Sequence, residues 1–140
     1  MIIFRPHNIY GSDMGNQHVI PQLIKKVRNS KNNKKIVIQG SGNETRAFTH
    51  ISDFIQAFDL IMKKGRHLNV YNIGTSEEIS INKLVSLIMN KIQIKSKIIK
   101  GPIRKGSTSR RVPKIDKIKK LGFKQNIKIF KGLDDMVEFY

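Results

Sequence analysis

An α/β fold is predicted by three observations: short β-branched runs, segments whose apolar residues recur every three or four positions, and the alternation of the two along the chain. Ile36-Val37-Ile38 represents the first kind, and Val19, Leu23, Ile24 and Val27 the second. No repeat, linker or low-complexity tract interrupts the pattern, so residues 1–140 are read as a single unit.

Taken in order, Ile2 to Arg5 reads as a short buried strand that stops at Pro6, before the turn-forming cluster Asn8, Gly11, Ser12, Asp13 and Gly15. A helix over about residues 18 to 30 follows, with Pro21 tolerable only in its first turn, and Asn29 to Lys35 is its polar exit. After the strand Ile36 to Ile38 and a glycine turn, Arg46 to His50 is again extended. Ser52 or Asp53 is the expected cap of a helix with Phe54, Ile55, Phe58, Leu60, Ile61 and Met62 inward, ending near Gly65. Leu68 to Ile73 reads as a strand closing at Gly74. Ser80 caps a helix with Ile81, Leu84, Val85, Ile88 and Met89 inward. Ile98 and Ile99 form an extended piece before Gly101-Pro102, Lys114 to Leu121 a short basic helix stopped by Gly122, and Ile129 to Tyr140 the last helix.

Composition narrows the function classes. A chain of 140 residues buries roughly two thirds of its unfolded surface if it folds alone. No apolar run approaches the roughly eighteen residues that cross a bilayer, and Met1-Ile2-Ile3-Phe4 meets Arg5 too early for a signal-peptide core. A cytoplasmic protein without a membrane partner is expected. With no cysteine, thiolate metal sites and nucleophiles are excluded. The net charge of +17 invites a nucleic-acid reading. Against it, the positive charge is mostly scattered lysine among Ile and Asn, and the few aromatics fall at core positions instead of interleaving with the lysines. Such a field attracts anionic ligands without choosing among them.

Three segments have side chains suited to chemistry. In Pro6-His7-Asn8-Ile9-Tyr10-Gly11 a strand ends in a polar loop, where ligands sit on open α/β sheets. Asn8 there is suited either to a phosphate or sugar hydroxyl or to plain turn formation. His7 and His18 lack a third ligand at metal-site spacing, so no metal is assigned. Gly40-Ser41-Gly42 followed by Arg46 suits a diphosphate, because glycine lets backbone approach and arginine binds oxyanions bidentately. The other reading is a hairpin turn with Arg46 paired to Glu44 or Asp53. His50 and Asp53 resemble a general-base pair but are read as junction and cap residues. Arg104 to Arg111 is a basic, hydroxyl-rich loop that either closes over a phosphate or ribose or is simply solvated.

In their order and spacing, Arg5-Pro6-His7-Asn8-Ile9-Tyr10-Gly11, the run from Gly40 to Asp53 and Tyr71-Asn72-Ile73-Gly74 resemble the second half of an NAD-dependent sugar-nucleotide epimerase/dehydratase of the extended short-chain dehydrogenase/reductase type. The stretches Ile20 to Ile24, Ile79 to Leu84 and Lys117 to Phe123 are similar to their counterparts there, so the resemblance covers residues 2 to 140. It implies partial Rossmann-type sheet strands joined to the small C-terminal substrate-binding α/β subdomain. It further implies that Pro6 and His7 lie near the nicotinamide end of NAD, that Asn8 and Arg46 hold the diphosphate of a nucleoside diphosphate sugar, that Val37 and Gln39 border its base, and that Arg104 reaches the diphosphate or ribose. Ser107 stands where the family often places an acidic ribose ligand, and Lys114 where an aspartate is usual, with Asp116 two residues later.

The family's chemistry also needs NAD on a glycine-rich turn and a tyrosine four residues before a lysine. Here Met14 follows Tyr10 and Thr75 follows Tyr71 at that spacing, Tyr140 ends the chain, and no three glycines make the fingerprint. No catalytic residue is therefore assigned, and whether the chain is itself an enzyme stays open. The expectation is a substrate-binding half without its dinucleotide-binding half, inactive and not holding NAD by itself, with a separate Rossmann half or a second copy as further partners. A non-catalytic sugar-nucleotide-binding module and a basic nucleic-acid-binding protein are the alternatives. In the leading reading, Ile2 to Arg5 and Leu68 to Ile73 are strands missing neighbours, with an apolar edge.

Overall fold

The computed structural model describes residues 1–30, 35–103 and 106–140. Its elements run β1 (Ile3–Pro6), β2 (Ile9–Tyr10), α1 (Val19–Asn29), β3 (Ile36–Gln39), β4 (Thr45–Ala47), β5 (Thr49–His50), α2 (Ile51–Lys64), β6 (Val70–Ile73), β7 (Glu78–Ser80), α3 (Ile81–Ile92), β8 (Ile98–Gly101), β9 (Arg110–Arg111), α4 (Asp116–Lys120) and α5 (Ile129–Phe139). Three sheets are parallel two-stranded pairs: β1 with β6, with Phe4 opposite Tyr71; β2 with β5, with Tyr10 opposite His50; and β3 with β8, with Ile38 opposite Lys100. In a fourth sheet β4 lies between antiparallel β7 and parallel β9, so that Arg46 stands opposite both Ile79 and Arg111.

Apolar spacing builds two cores. Ile20, Leu23, Ile24 and Val27 share one face of α1 and pack with Leu84 and Ile88 of α3 and Leu133 and Met136 of α5. Ile36 and Ile38 of β3 point into this cluster, while the alternate residues Val37 and Gln39 face out. The second cluster joins Ala57 and Ile61 of α2 to Tyr71 and Ile73 of β6 and to Ile118 of α4. The Ser80 hydroxyl accepts the Lys83 N–H at 3.2 Å and starts α3, as the sequence predicts.

Several expectations need correction. β1 is exposed along its length instead of buried, because among the described residues β6 is its one neighbouring strand and α2 covers a single face through Phe54 and Phe58 against Phe4. This matches the expected shortage of neighbours: Ile3 and Phe4 are 40% and 39% exposed. The cap of α2 is His50, whose Nδ1 accepts the Ser52 N–H at 3.3 Å, in place of Ser52 or Asp53. Asp53 is buried inside the first turn and accepts the backbone N–H groups of Asn126 and Ile127 at 3.0 and 3.1 Å, thereby fixing the approach to α5. Ile55 and Met62 face solvent, since α2 buries only the stripe through Asp53, Ala57 and Ile61. The strand expected from Leu68 begins at Val70, because Leu68 takes a left-handed φ of 58°. The extended run from Arg46 to His50 divides at Phe48 into β4 and β5, which pair with different partners. Helix α4 starts at Asp116 instead of Lys114, with Ile115 in the cap position. Of the polar exit from α1, residues 31–34 lie outside the described residues.

Candidate functional site

A cleft of about 480 Å³ opens between α1, the end of β3, β4 and the segment leading into β9. That volume falls within the range of small-ligand sites. Four of the sequence-predicted residues line it: Asn8, Gln39, Arg46 and Ser107. They come from four separate segments, and only the fold brings them together. Val37 borders it by position on β3 but is not among the lining residues, and neither are Pro6 and His7. Arg104 lies outside the described residues.

Each polar group is held by local structure. Asn8 takes a left-handed φ of 44°, donates from Nδ2 to the Ala47 carbonyl at 2.9 Å and accepts the Thr49 N–H on its own carbonyl at 3.1 Å. One amide hydrogen and the side-chain oxygen remain for a ligand. Arg46 donates to the carbonyls of Thr45 and Thr108 at 2.7 and 2.8 Å, which orients the guanidinium and leaves other N–H groups free. It pairs with neither Glu44 nor Asp53, and β3 pairs with β8, so the hairpin reading of the glycine turn does not hold. Burial holds the Arg46 pKa below its ordinary value, as does the like charge of Arg111, while Glu44 opposes the change. A bound anion would relieve both of the unfavourable influences.

The glycine turn is occupied from within. Gly40 and Gly42 take φ values of 80° and 83°, and the Glu44 carboxylate folds back onto the turn. Its Oε1 accepts from Ser41 N at 3.0 Å and Ser41 Oγ at 3.1 Å, and its Oε2 from Gly42 N at 2.8 Å. These bonds, the one from Ser41 N foremost, hold the Glu44 carboxyl below the usual carboxylate range. The turn amides are thus spent on a side chain, so a diphosphate in the cleft must rely on guanidinium, ammonium and carboxamide donors.

Lys26, which the sequence reading did not single out, and Arg111, which it named only as the end of the basic loop, supply two further cations. Lys26 Nζ donates to the Val37 carbonyl at 2.8 Å, holding α1 to β3 at the cleft wall. Nothing in the sequence signals that Arg111 stands opposite Arg46 across a parallel pair 65 residues apart. The helical spacing of Gln22 and Lys26, on the same side of α1, was a signal available for Lys26. The suspected pair His50 and Asp53 does not converge on the cleft: His50 Nε2 lies 3.9 Å from Asp135, and Asp53 serves the backbone before α5.

With this geometry in view, the comparisons with known proteins are specific. The model of the NAD dependent epimerase/dehydratase family matches residues 1–74. The dTDP-D-glucose 4,6-dehydratase of Dictyostelium discoideum is 43% identical over 90 residues, 64% of this chain and 20% of that protein. Its human counterpart is 29% identical over 147 aligned positions, covering all of this chain and 41% of that protein. The UDP-glucuronic acid 4-epimerase from Bacillus cereus, solved with UDP-glucuronic acid and NAD, shares the fold at a TM-score of 0.88 with 23% identity, over 99% of this chain and 44% of that one. The UDP-glucose 4-epimerase of Thermotoga maritima, solved with UDP-glucose, gives a TM-score of 0.85 with 26% identity, over 99% of this chain and 45% of that one. The chain therefore spans less than half the length of each of these relatives.

Proposed function

Because the chain belongs to the NAD dependent epimerase/dehydratase family, we propose that it is the nucleotide-sugar-binding portion of such an enzyme, with the glycine fingerprint and the Tyr/Lys pair supplied from outside these residues. The observation that carries the reading is the convergence of Asn8, Gln39, Arg46 and Ser107 in one cationic cleft. Arg46 and Arg111 take the diphosphate, Asn8 donates its free amide hydrogen to the same group, and Gln39 borders the base. Val37, exposed on the strand beside Gln39, flanks the base from the rim. The Thermotoga maritima UDP-glucose 4-epimerase, 26% identical, is solved with UDP-glucose, which supports that ligand class here.

The residues at the carboxyl end of β1 fit one end of NAD. His7 Nε2 is buried with no hydrogen-bond partner among the described residues, while its backbone N–H is taken by the Ile73 carbonyl at 2.9 Å. An imidazole nitrogen so placed awaits a polar partner, and Pro6 beside it ends the parallel pair where ligands of open sheets sit. When bound, NAD supplies the hydride acceptor. This chain's own residues position the sugar nucleotide and wall off one side of the reacting centre.

Calorimetric titration of the purified chain with UDP-, dTDP- and GDP-sugars tests the reading. Saturable binding that falls about tenfold or more in Arg46→Ala is expected, the loss of a charge-assisted contact. Binding unchanged by that substitution, or no binding to any of the three, would refute it.

A further inference from the structure

A nucleoside diphosphate has two recognition demands of opposite sign. Its phosphates call for cations and its ribose for hydrogen-bond acceptors, with a carboxylate the strongest acceptor for a hydroxyl. In the cleft the first demand is met by Lys26, Arg46 and Arg111. Among the described lining residues, Glu44 is the one acid.

Glu44 is also fixed. Three donors clamp its carboxylate, two on Oε1 and one on Oε2, so it pays little further entropy to accept a ligand hydroxyl. A carboxylate has about four acceptor sites, and the three bonds leave one on Oε2. Its backbone is pinned too, the Glu44 carbonyl accepting the Ile81 N–H at 3.0 Å. Because the turn amides hold its carboxyl below the usual range, the group stays charged at neutral pH.

Position in the cleft points to the ribose. Gln39 ends β3 before the turn, Glu44 closes the turn, and Arg46 follows on β4, so acceptor and cation are two residues apart on one side of an extended segment. A ribose is joined to its base on one side and its diphosphate on the other. With the base at Gln39 and the diphosphate at Arg46, the ribose lies over Glu44. Ser107, the lining residue of the facing loop, brings a hydroxyl and no charge.

We propose that Glu44 is the ribose-binding and specificity-determining residue of this cleft, accepting the ribose 2′-hydroxyl and so favouring ribonucleoside over 2′-deoxyribonucleoside diphosphates. The proposal rests on the sugar-nucleotide reading given above.

The test is titration of the full chain with UDP, 2′-deoxy-UDP, GDP and 2′-deoxy-GDP, repeated for Glu44→Gln and Arg46→Ala. The wild-type chain is expected to prefer the ribo form of whichever base it binds by about tenfold. Glu44→Gln should erase that preference while leaving deoxy affinity within about twofold, and Arg46→Ala should weaken both forms alike. Equal wild-type affinity for ribo and deoxy ligands overturns the proposal and needs no variant to fold. So does an equal loss for both forms in Glu44→Gln, which would reduce Glu44 to a support for the turn. Binding of neither form by the wild-type chain overturns this proposal, and the cleft reading falls with it when dTDP-sugars fail to bind as well. UDP-glucose distinguishes a hexose contact: a Glu44→Gln defect seen with UDP-glucose and not with UDP assigns the residue to the hexose and overturns the ribose role.

Discussion

Around α1, α3 and α5 the fold closes on itself: Ile24, Leu84, Ile88 and Leu133 have no exposed surface. Around β1 and β6 it does not. That pair is a parallel sheet of two strands, covered by α2 on one face, with all four residues of β1 exposed and a second cavity of about 450 Å³ between Arg5, Asn72 and Lys114 on the other face. Parallel strands are ordinarily buried on both faces. The contrast teaches that the cleft is carried by the closed region, since α1, β3 and β4 form its walls, while the candidate NAD-proximal residues Pro6 and His7 sit on the open one.

The largest expected effect separates the two regions directly. Ile24→Ala should cost about 2–5 kcal/mol, the sum of lost burial and an unfilled cavity, whereas Ile3→Ala on β1 should cost about 0.5 kcal/mol or less. Urea unfolding followed by circular dichroism measures both. Equal losses would show that β1 is as firmly packed as α1 and would dissolve the distinction.

Next in size is a substitution on α5. A Cβ at Gly132 would stand 2.1 Å from the Tyr10 hydroxyl, so Gly132→Ala must displace the ring or the helix, at about 1–3 kcal/mol. The cost should shrink in a Tyr10→Phe background, where the colliding oxygen is gone. An additive double mutant would mean that the ring itself, and not its hydroxyl, fills the space.

Tyr10→Phe alone should change stability by about 1 kcal/mol or less, in the stabilising direction, because the Tyr10 hydroxyl is buried without a partner among the described residues. Its sign with pH is fixed. Burial foremost, then the charges of Glu77, Asp53 and Asp135, push the Tyr10 phenol well above its ordinary pKa. The folded state therefore keeps a proton that the unfolded state releases above about pH 10, and stability falls as pH rises through that point. Thermal unfolding from pH 8 to 11 should show the Phe variant losing less than the wild-type chain. A parallel decline in both would assign the loss to other groups.

How much of this was legible in the sequence follows the same boundary. Helices α1 and α3 were readable because one amphipathic stripe decides each, joined in α3 by the Ser80 cap. The true α2 cap was not, because an imidazole acting through Nδ1 has no composition signal and Asp53, the better-looking cap, is recruited by Asn126 and Ile127 from 73 and 74 residues away. β1 looked buried because Ile2-Ile3-Phe4 is apolar, and apolar character does not reveal how many neighbours a strand has. Asn8 and Arg46 were legible as cleft residues through their motifs, and Gln39 and Ser107 through the family resemblance. Arg111 and Glu44 were not: one enters through strand register, and the other turns a presumed phosphate loop into an internal carboxylate site.

The smallest effect sharpens that last point. The folded Glu44 carboxyl lies below its unfolded value of about 4.3, so its contribution to stability is complete above that pH and is lost as pH falls through the lower, folded value. The carboxylate is largely open to water at one side, and screening keeps the contribution small. Wild-type and Glu44→Gln melting temperatures should therefore differ at pH 6 and converge toward pH 3. A gap that stays constant over that range would mean that the turn is held by the shape of the side chain and not by its charge. The carboxylate would then be uncoupled from the amides of Ser41 and Gly42, and the closed region would owe the geometry of its cleft to packing alone.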